Sequence, residues 1–204
     1  AAFSPADTAM LEPLGVALHA FDLGHPRIGA TVAVVGCGPI GLCAVRLARV
    51  AGAARVIAVE PLAHRRAAAI AAGADVVLDV TADLPTLLAE ATGGRGADVA
   101  FEVAGNDDAV ATAVEVARPG GRVVLAGIPG EDTTRFPAST ARRKGLTLKL
   151  SRRMKEVYPR AITLVERGMV DVTPLVTHTF PLDRVQEAFV VAERRDGLKV
   201  VVEP

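Results

Sequence analysis

A short, almost continuous apolar run, Thr31–Val35, leads directly into Gly36-Cys37-Gly38-Pro39-Ile40-Gly41, and Leu42–Ala51 continues it with helical character. A run without polar alternation is what a strand buried on both faces requires, and such strands belong to parallel sheets covered by helices on either side. A strand that passes through three closely spaced glycines into a helix limits the chain to few architectures.

The rest of the middle repeats the alternation. Strands are predicted at Arg55–Val59, Asp75–Leu78, Ala97–Val103, Arg122–Ala126 and Leu146–Leu150. Helices are predicted at His64–Ala72, Leu84–Ala91 and Asp107–Ala117, ended by Gly73, by Gly93 and Gly94, and by the Pro119-Gly120-Gly121 turn. Helices between short apolar strands imply right-handed crossovers and a parallel sheet. The reading is an α/β, doubly wound, six-stranded parallel sheet of order 3-2-1-4-5-6, with its topological switch point between strands 1 and 4. The flanks are extra to that core. Leu11–Phe21 reads as a helix ahead of the first strand. Beyond the sixth strand lie a helix at Tyr158–Gly168, a Pro-containing segment at Asp171–Leu182, a helix at Asp183–Arg194 and a strand at Lys199–Val202. Three segments follow: 1–27, 28–154 and 155–204.

The six residues Gly36–Gly41 fit G-x-G-x-x-G, a pattern that carries weight only between a strand and a helix, which is its setting here. Gly36 permits the tight turn, Gly38 lets the backbone approach a pyrophosphate, and Gly41 lets the helix lie close to the strand. Pro39 and Ile40 complete the loop. The helix start offers free N–H groups and a partial positive charge to phosphates. Glu60 ends the second strand, where a carboxylate accepts hydrogen bonds from both adenosine-ribose hydroxyls and repels a 2′-phosphate. The expected cofactor is therefore NAD rather than NADP. Arg65, one turn into the next helix, is placed to stack on adenine. Val103-Ala104-Gly105 and Gly127-Ile128-Pro129 end strands 4 and 5, at the edge where a dinucleotide should lie.

Composition excludes several other functions. Lys plus Arg and Asp plus Glu are both 23, and aromatic residues are 3% of the chain. Neither nucleic-acid binding nor adhesion to an acidic membrane is favoured. No charge-free apolar stretch is long enough to span a bilayer. Cys37 and Cys43 are too few for a disulfide framework or a four-ligand zinc cluster, which suits a reducing, cytoplasmic setting. The chain starts on Ala1 without a basic-then-apolar leader, as a cut or processed end would. His19, His25, His64 and His178 are scattered, and the single tyrosine, Tyr158, heads no Tyr-x-x-x-Lys pair. A cofactor site is legible; a catalytic centre is not, and no catalytic residue is assigned.

A wider set of stretches resembles the zinc-dependent medium-chain dehydrogenase/reductase family, in its sorbitol, threonine and alcohol dehydrogenase branch. They are Glu12-Pro13-Leu14 with Val16-Ala17-Leu18-His19, the Gly36–Gly41 loop, Phe101-Glu102-Val103 with Gly105, and Pro119-Gly120-Gly121. Tyr158-Pro159-Arg160-Ala161-Ile162, Val176-Thr177-His178 with Phe180-Pro181-Leu182, Gln186-Glu187-Ala188-Phe189 and Lys199-Val200-Val201 complete them in the family's order.

The resemblance implies the C-terminal, NAD-binding portion of a larger alcohol or polyol dehydrogenase that passes hydride from a secondary alcohol to NAD+. The family's zinc-bearing GroES-like domain would precede it. The flanks 1–27 and 155–204 would then be parts of the catalytic lobe, and the fragment alone would bind NAD(H) weakly without turnover. Glu12 matches a Glu that approaches the catalytic zinc, though zinc is not expected to be held by this chain alone. Ile40 and Ala126-Gly127-Ile128 match residues around the nicotinamide, and Glu60 with Arg65 matches the adenosine-ribose pair. Arg153, beside Arg152, matches a basic residue near cofactor and substrate, although Leu150-Ser151-Arg152-Arg153-Met154 lacks the Gly and aromatic residue usual there. Homodimerisation through Leu146–Leu150 is the family's habit. The alternatives are a stand-alone NAD-binding or oligomerising module, and a zinc-free reductase, against which Glu12 and Glu60 argue.

Overall fold

The computed structural model describes residues 3–80, 83–154 and 156–204. Ala1 and Lys155, where two of the expected segments begin, lie outside the described residues. The chain opens with α1 (Pro5–Gly24), followed by β1 (Thr31–Val35), α2 (Pro39–Val50), β2 (Arg55–Val59), α3 (Ala63–Ala72) and β3 (Val76–Leu78). Next come α4 (Leu84–Ala91), β4 (Ala97–Glu102), α5 (Asp107–Val116), β5 (Ala117–Leu125), α6 (Ala138–Arg143) and β6 (Thr147–Leu150). The remainder is α7 (Tyr158–Glu166), β7 (Val176–Pro181), α8 (Val185–Arg194) and β8 (Lys199–Glu203).

The six-stranded sheet has the order β3-β2-β1-β4-β5-β6 and every pairing is parallel. The expected doubly wound α/β fold is the one observed. β1 and β2 are buried from their second residue onward, because both faces are covered. One face packs Val32 and Val34 of β1 with Leu42, Val45 and Leu47 of α2. The other packs Ala33 and Val35 with Leu84 and Leu88 of α4 and Ala109 and Ala113 of α5. Each fully buried Val or Leu stabilises by roughly 1.5–3 kcal/mol, so these two layers hold the carboxyl ends of the strands in fixed register.

The flanks join this core. α1 starts at a capping box in which the Ser4 hydroxyl accepts from the Asp7 N–H and the Asp7 carboxylate accepts from the Ser4 N–H. It places Met10, Leu14, Leu18 and Phe21 in the layer that contains Val32 and Phe101. The Phe21 and Phe101 rings stack with centroids 5.5 Å apart. Gly24 is required here, since a Cβ would stand 2.7 Å from the Phe101 ring. Val157, Ala161 and Leu175 from the C-terminal part enter the same layer.

Three local readings need correction. Strand β5 begins at Ala117 instead of Arg122: the register shifts between Ala97 and Val99 of β4, so Pro119-Gly120-Gly121 lies within an irregular strand rather than in a turn between helix and strand. Helix α6 was not expected, because six mostly polar residues carry little periodicity. The Pro-containing segment 171–182 holds β7, which pairs in parallel with β8 as a separate two-stranded sheet. Its residues alternate between half-buried and exposed, and Thr177-His178-Thr179 gives no apolar run to find.

Candidate cofactor-binding site

The carboxyl ends of β1, β2, β4 and β5 meet along one edge of the sheet. Gly36 leaves β1 with a φ of 100° and donates its N–H to the Val59 carbonyl at 2.8 Å. That left-handed turn is open to glycine and strained for other residues. Gly38 is the N-cap of α2, Pro39 sits in its first turn, and no side chain caps it. Proline is suited to that position because it has no N–H to satisfy. The next N–H groups of α2 are left to face whatever lies beyond the loop. Gly41 is buried so closely against the turn that a Cβ would run into the Gly36 carbonyl oxygen and stand 2.9 Å from its carbon. A Cβ on Gly38, by contrast, would meet only the Arg65 guanidinium, at 3.7 Å. Gly41 is needed by the fold, while Gly38 leaves its space free on the ligand side.

Glu60 is only 4% exposed and lies beneath this loop. One carboxylate oxygen accepts the Cys37 N–H at 2.7 Å and the other accepts the Leu62 N–H at 3.1 Å. A carboxylate has about four acceptor positions, so two backbone donors leave it capacity for two hydroxyls. Arg65 reaches across from α3 to the same loop. Its Nη2 faces the Gly197 carbonyl at 3.5 Å, and its buried Nε has no partner among the described residues. The structure brings Gly36, Gly38, Pro39, Ile40, Gly41, Glu60 and Arg65 together at this edge of the sheet. The sequence did not foresee Gly197, which comes from the segment before β8.

A second constellation lies at β4 and β5. Val103 donates its N–H to the Val35 carbonyl, so it follows β4 directly against β1. The loops 103–105 and 126–128 touch backbone to backbone: a Cβ on Gly105 would stand 2.9 Å from the Ile128 carbonyl carbon, and one on Gly127 2.6 Å from the Gly105 Cα. Ile128 itself projects outward at 89% exposure. Arg152 and Arg153 follow β6 on the same edge but are exposed, without described hydrogen bonds, and Arg153 holds a φ of 48°.

Beneath these loops is a group that sequence reading quoted without assigning a role. Glu102 is 1% exposed, and one carboxylate oxygen accepts the Ala104 N–H at 2.8 Å and the Gly105 N–H at 2.6 Å. Burial raises its carboxyl above the usual range, against the lowering effect of these N–H groups and that of Gly127. Its signal in the sequence was a carboxylate ending an apolar strand, the same signal that marked Glu60. Cys37 and Cys43 are both buried, with thiols pushed up to about 12 chiefly by desolvation. They are protonated fillers rather than nucleophiles.

Residues 39–167 match the sequence profile of the zinc-binding dehydrogenases. The chain belongs to the zinc-binding dehydrogenase family. L-threonine 3-dehydrogenase of Bacillus subtilis (strain 168) is 34% identical to it over 203 residues, 98% of this chain and 58% of that protein. Sorbitol dehydrogenase of Homo sapiens is 34% identical over 197 residues, 95% of this chain and 55% of that protein. A zinc-binding dehydrogenase of Sinorhizobium meliloti 1021, solved with NADP bound, superposes with a TM-score of 0.90 at 30% identity, over 99% of this chain and 60% of that one. This zinc-binding dehydrogenase chain thus spans a little over half the length of the relatives it matches.

The family's name raises the question of the metal. Glu12 is exposed on α1 and makes no described hydrogen bond. Among the described residues no three His, Cys, Asp or Glu side chains gather closely enough to hold a metal ion. A zinc site needs three or four such ligands, so the described residues do not fit zinc. Among the described residues, no helix is long and apolar enough to cross a membrane.

Proposed function

We propose that this chain is the NAD(H)-binding portion of an alcohol or polyol dehydrogenase, in which hydride passes from a secondary alcohol to the nicotinamide of NAD+. The observation that carries it is the Gly36–Gly41 turn, with its uncapped helix start, tied at the switch point to the buried carboxylate of Glu60. The free N–H groups of α2 would take the pyrophosphate. Glu60 would accept the adenosine-ribose hydroxyls, and Arg65 would cover the adenine. Val103, Ile40 and Ala126-Gly127-Ile128 would shape the nicotinamide end, with Arg152 and Arg153 at its outer margin. NAD supplies the hydride acceptor; these residues bind it, orient it and exclude water from one side.

In this reading residues 28–154 are the cofactor domain, and the flanks 1–27 and 155–204 are parts of a catalytic lobe. Metal and substrate groups would come from other residues, with Glu12, exposed on α1, approaching them. Fluorescence titration with NADH should give saturable one-to-one binding by the 204-residue chain. The same preparation should not oxidise sorbitol or threonine with NAD+. Turnover of either at a measurable rate would show that the chain carries its own catalytic groups.

We also infer a homodimer through β6. This edge strand has Thr147, Lys149 and Leu150 exposed, Leu150 by 82%. An unpaired edge invites pairing with a twofold mate. Sedimentation velocity should show a dimer that Leu150→Glu converts to monomer. A wild-type chain that sediments as a monomer at tens of micromolar would exclude the arrangement.

A further inference from the structure

A cavity of about 450 Å³ opens at the opposite edge of the sheet from the Gly36 loop, where β1 and β4 begin and β5 bends. Arg27, Arg95, Arg118 and Arg122 line it together with His25, and Asp98 is the one carboxylate in its wall. The whole chain is electrically balanced, with 23 basic and 23 acidic side chains, so four guanidinium groups against one carboxylate is a local excess.

Asp98 cannot neutralise that excess. One of its oxygens accepts from Arg95 Nη2 at 2.7 Å and Arg118 Nε at 2.6 Å. The other accepts from Arg95 Nη1 at 3.0 Å and the Thr31 N–H at 2.9 Å. Those four bonds use the acceptor positions a carboxylate has. They hold its carboxyl well below the usual range, chiefly through Arg95, so it stays ionised and saturated. Arg122 gives one N–H to the neutral Gly24 carbonyl at 3.2 Å, and Arg27 has no described bond. Two guanidiniums fixed by Asp98 and two without a counter-charge among the described residues face one space. Guanidinium groups are forked donors suited to phosphate oxygens.

We propose that this cavity binds a small polyphosphate anion, either free or as the phosphate end of a nucleotide. It is a site separate from the dinucleotide edge and does not depend on the function proposed above. The volume lies within the range of small-molecule sites. Arg27 and Arg122 would neutralise the ligand, while Asp98 keeps Arg95 and Arg118 in place.

The test is calorimetric titration of the 204-residue chain with sodium pyrophosphate, repeated with ATP, each in the presence of NADH in excess so that the Gly36 edge is not open to either. Pyrophosphate should bind saturably at one site, and affinity should fall as salt is raised. Loss of one charge-assisted contact corresponds to about a tenfold weakening, expected for both Arg27→Ala and Arg122→Gln. Arg27 is exposed, so Arg27→Ala decides the matter even if Arg122→Gln fails to fold. Arg143→Ala, which removes an exposed arginine of α6 outside the cavity, should leave pyrophosphate binding unchanged. ATP much tighter than pyrophosphate would identify a nucleotide as the source; equal affinity would identify the free anion. The proposal is overturned if binding is absent, if sulfate binds equally well, or if Arg143→Ala weakens it as much as Arg27→Ala does.

Discussion

Gly41→Ala should lower stability by about 3 kcal/mol, near 8 °C in melting temperature for a chain of this size, and should abolish measurable NADH binding. Alanine improves helix propensity by about 1 kcal/mol, so the two effects oppose each other. The clash prevails because the added Cβ meets backbone, the Gly36 carbonyl, and Gly36 is itself tethered to Val59. Neither partner is the flexible end of a side chain that could swing away. Gly38→Ala provides the contrast. Its Cβ meets nothing nearer than the Arg65 guanidinium, so the variant should melt as wild type does while NADH binding weakens at least tenfold. Thermal melts with NADH titrations on the two proteins check this. Equal stability for Gly41→Ala and wild type would mean that the turn is not built as described.

Glu102→Ala should cost about 3 kcal/mol and loosen the loops 103–105 and 126–128, because the buried N–H groups of Ala104 and Gly105 would lose their acceptor. Glu102→Gln should be far milder. Its amide oxygen still accepts both N–H groups, and the charge it removes is one that burial already disfavours. The pH dependence has a definite sign. A carboxyl raised in the folded state contributes stability that is fully present below its unfolded value, near 4.5, and is lost as pH rises through the folded value. Wild type should therefore gain on Glu102→Gln as pH falls from 7 toward 4.5. Urea unfolding of the three proteins at pH 7 and pH 5 measures this. An unchanged midpoint for Glu102→Ala, or a wild type that loses ground to Glu102→Gln in mild acid, would refute the role.

These two sites show what the sequence made legible. β1, β2 and α4 are found with their observed bounds because doubly buried strands and an apolar helix leave unbroken runs between turn residues. The Gly36 loop and Glu60 were readable because each role needs a particular residue type at a particular strand end. Glu102 carried the same signature, but its partners are backbone N–H groups of loops, and no side chain announces them. β7 was hidden because a two-stranded sheet buries only part of one face, which Thr177 and His178 do not advertise. Gly197 reaches Arg65 only through the tertiary fold. The arginine cavity gathers residues from three separate stretches of chain, so only the folded structure reveals its charge excess.

Glu60 is the residue proposed to select NAD over NADP. A 2′-phosphate brought against its carboxylate would meet a repulsion of about 1 kcal/mol in a water-like setting and about 4 kcal/mol near a protein surface. The direct measurement is calorimetric titration of wild type and Glu60→Ala with NAD+ and with NADP+ under identical salt. The prediction is that wild type prefers NAD+ by at least about tenfold and that Glu60→Ala narrows the gap. Tighter binding of NADP+ by the wild-type chain would contradict it.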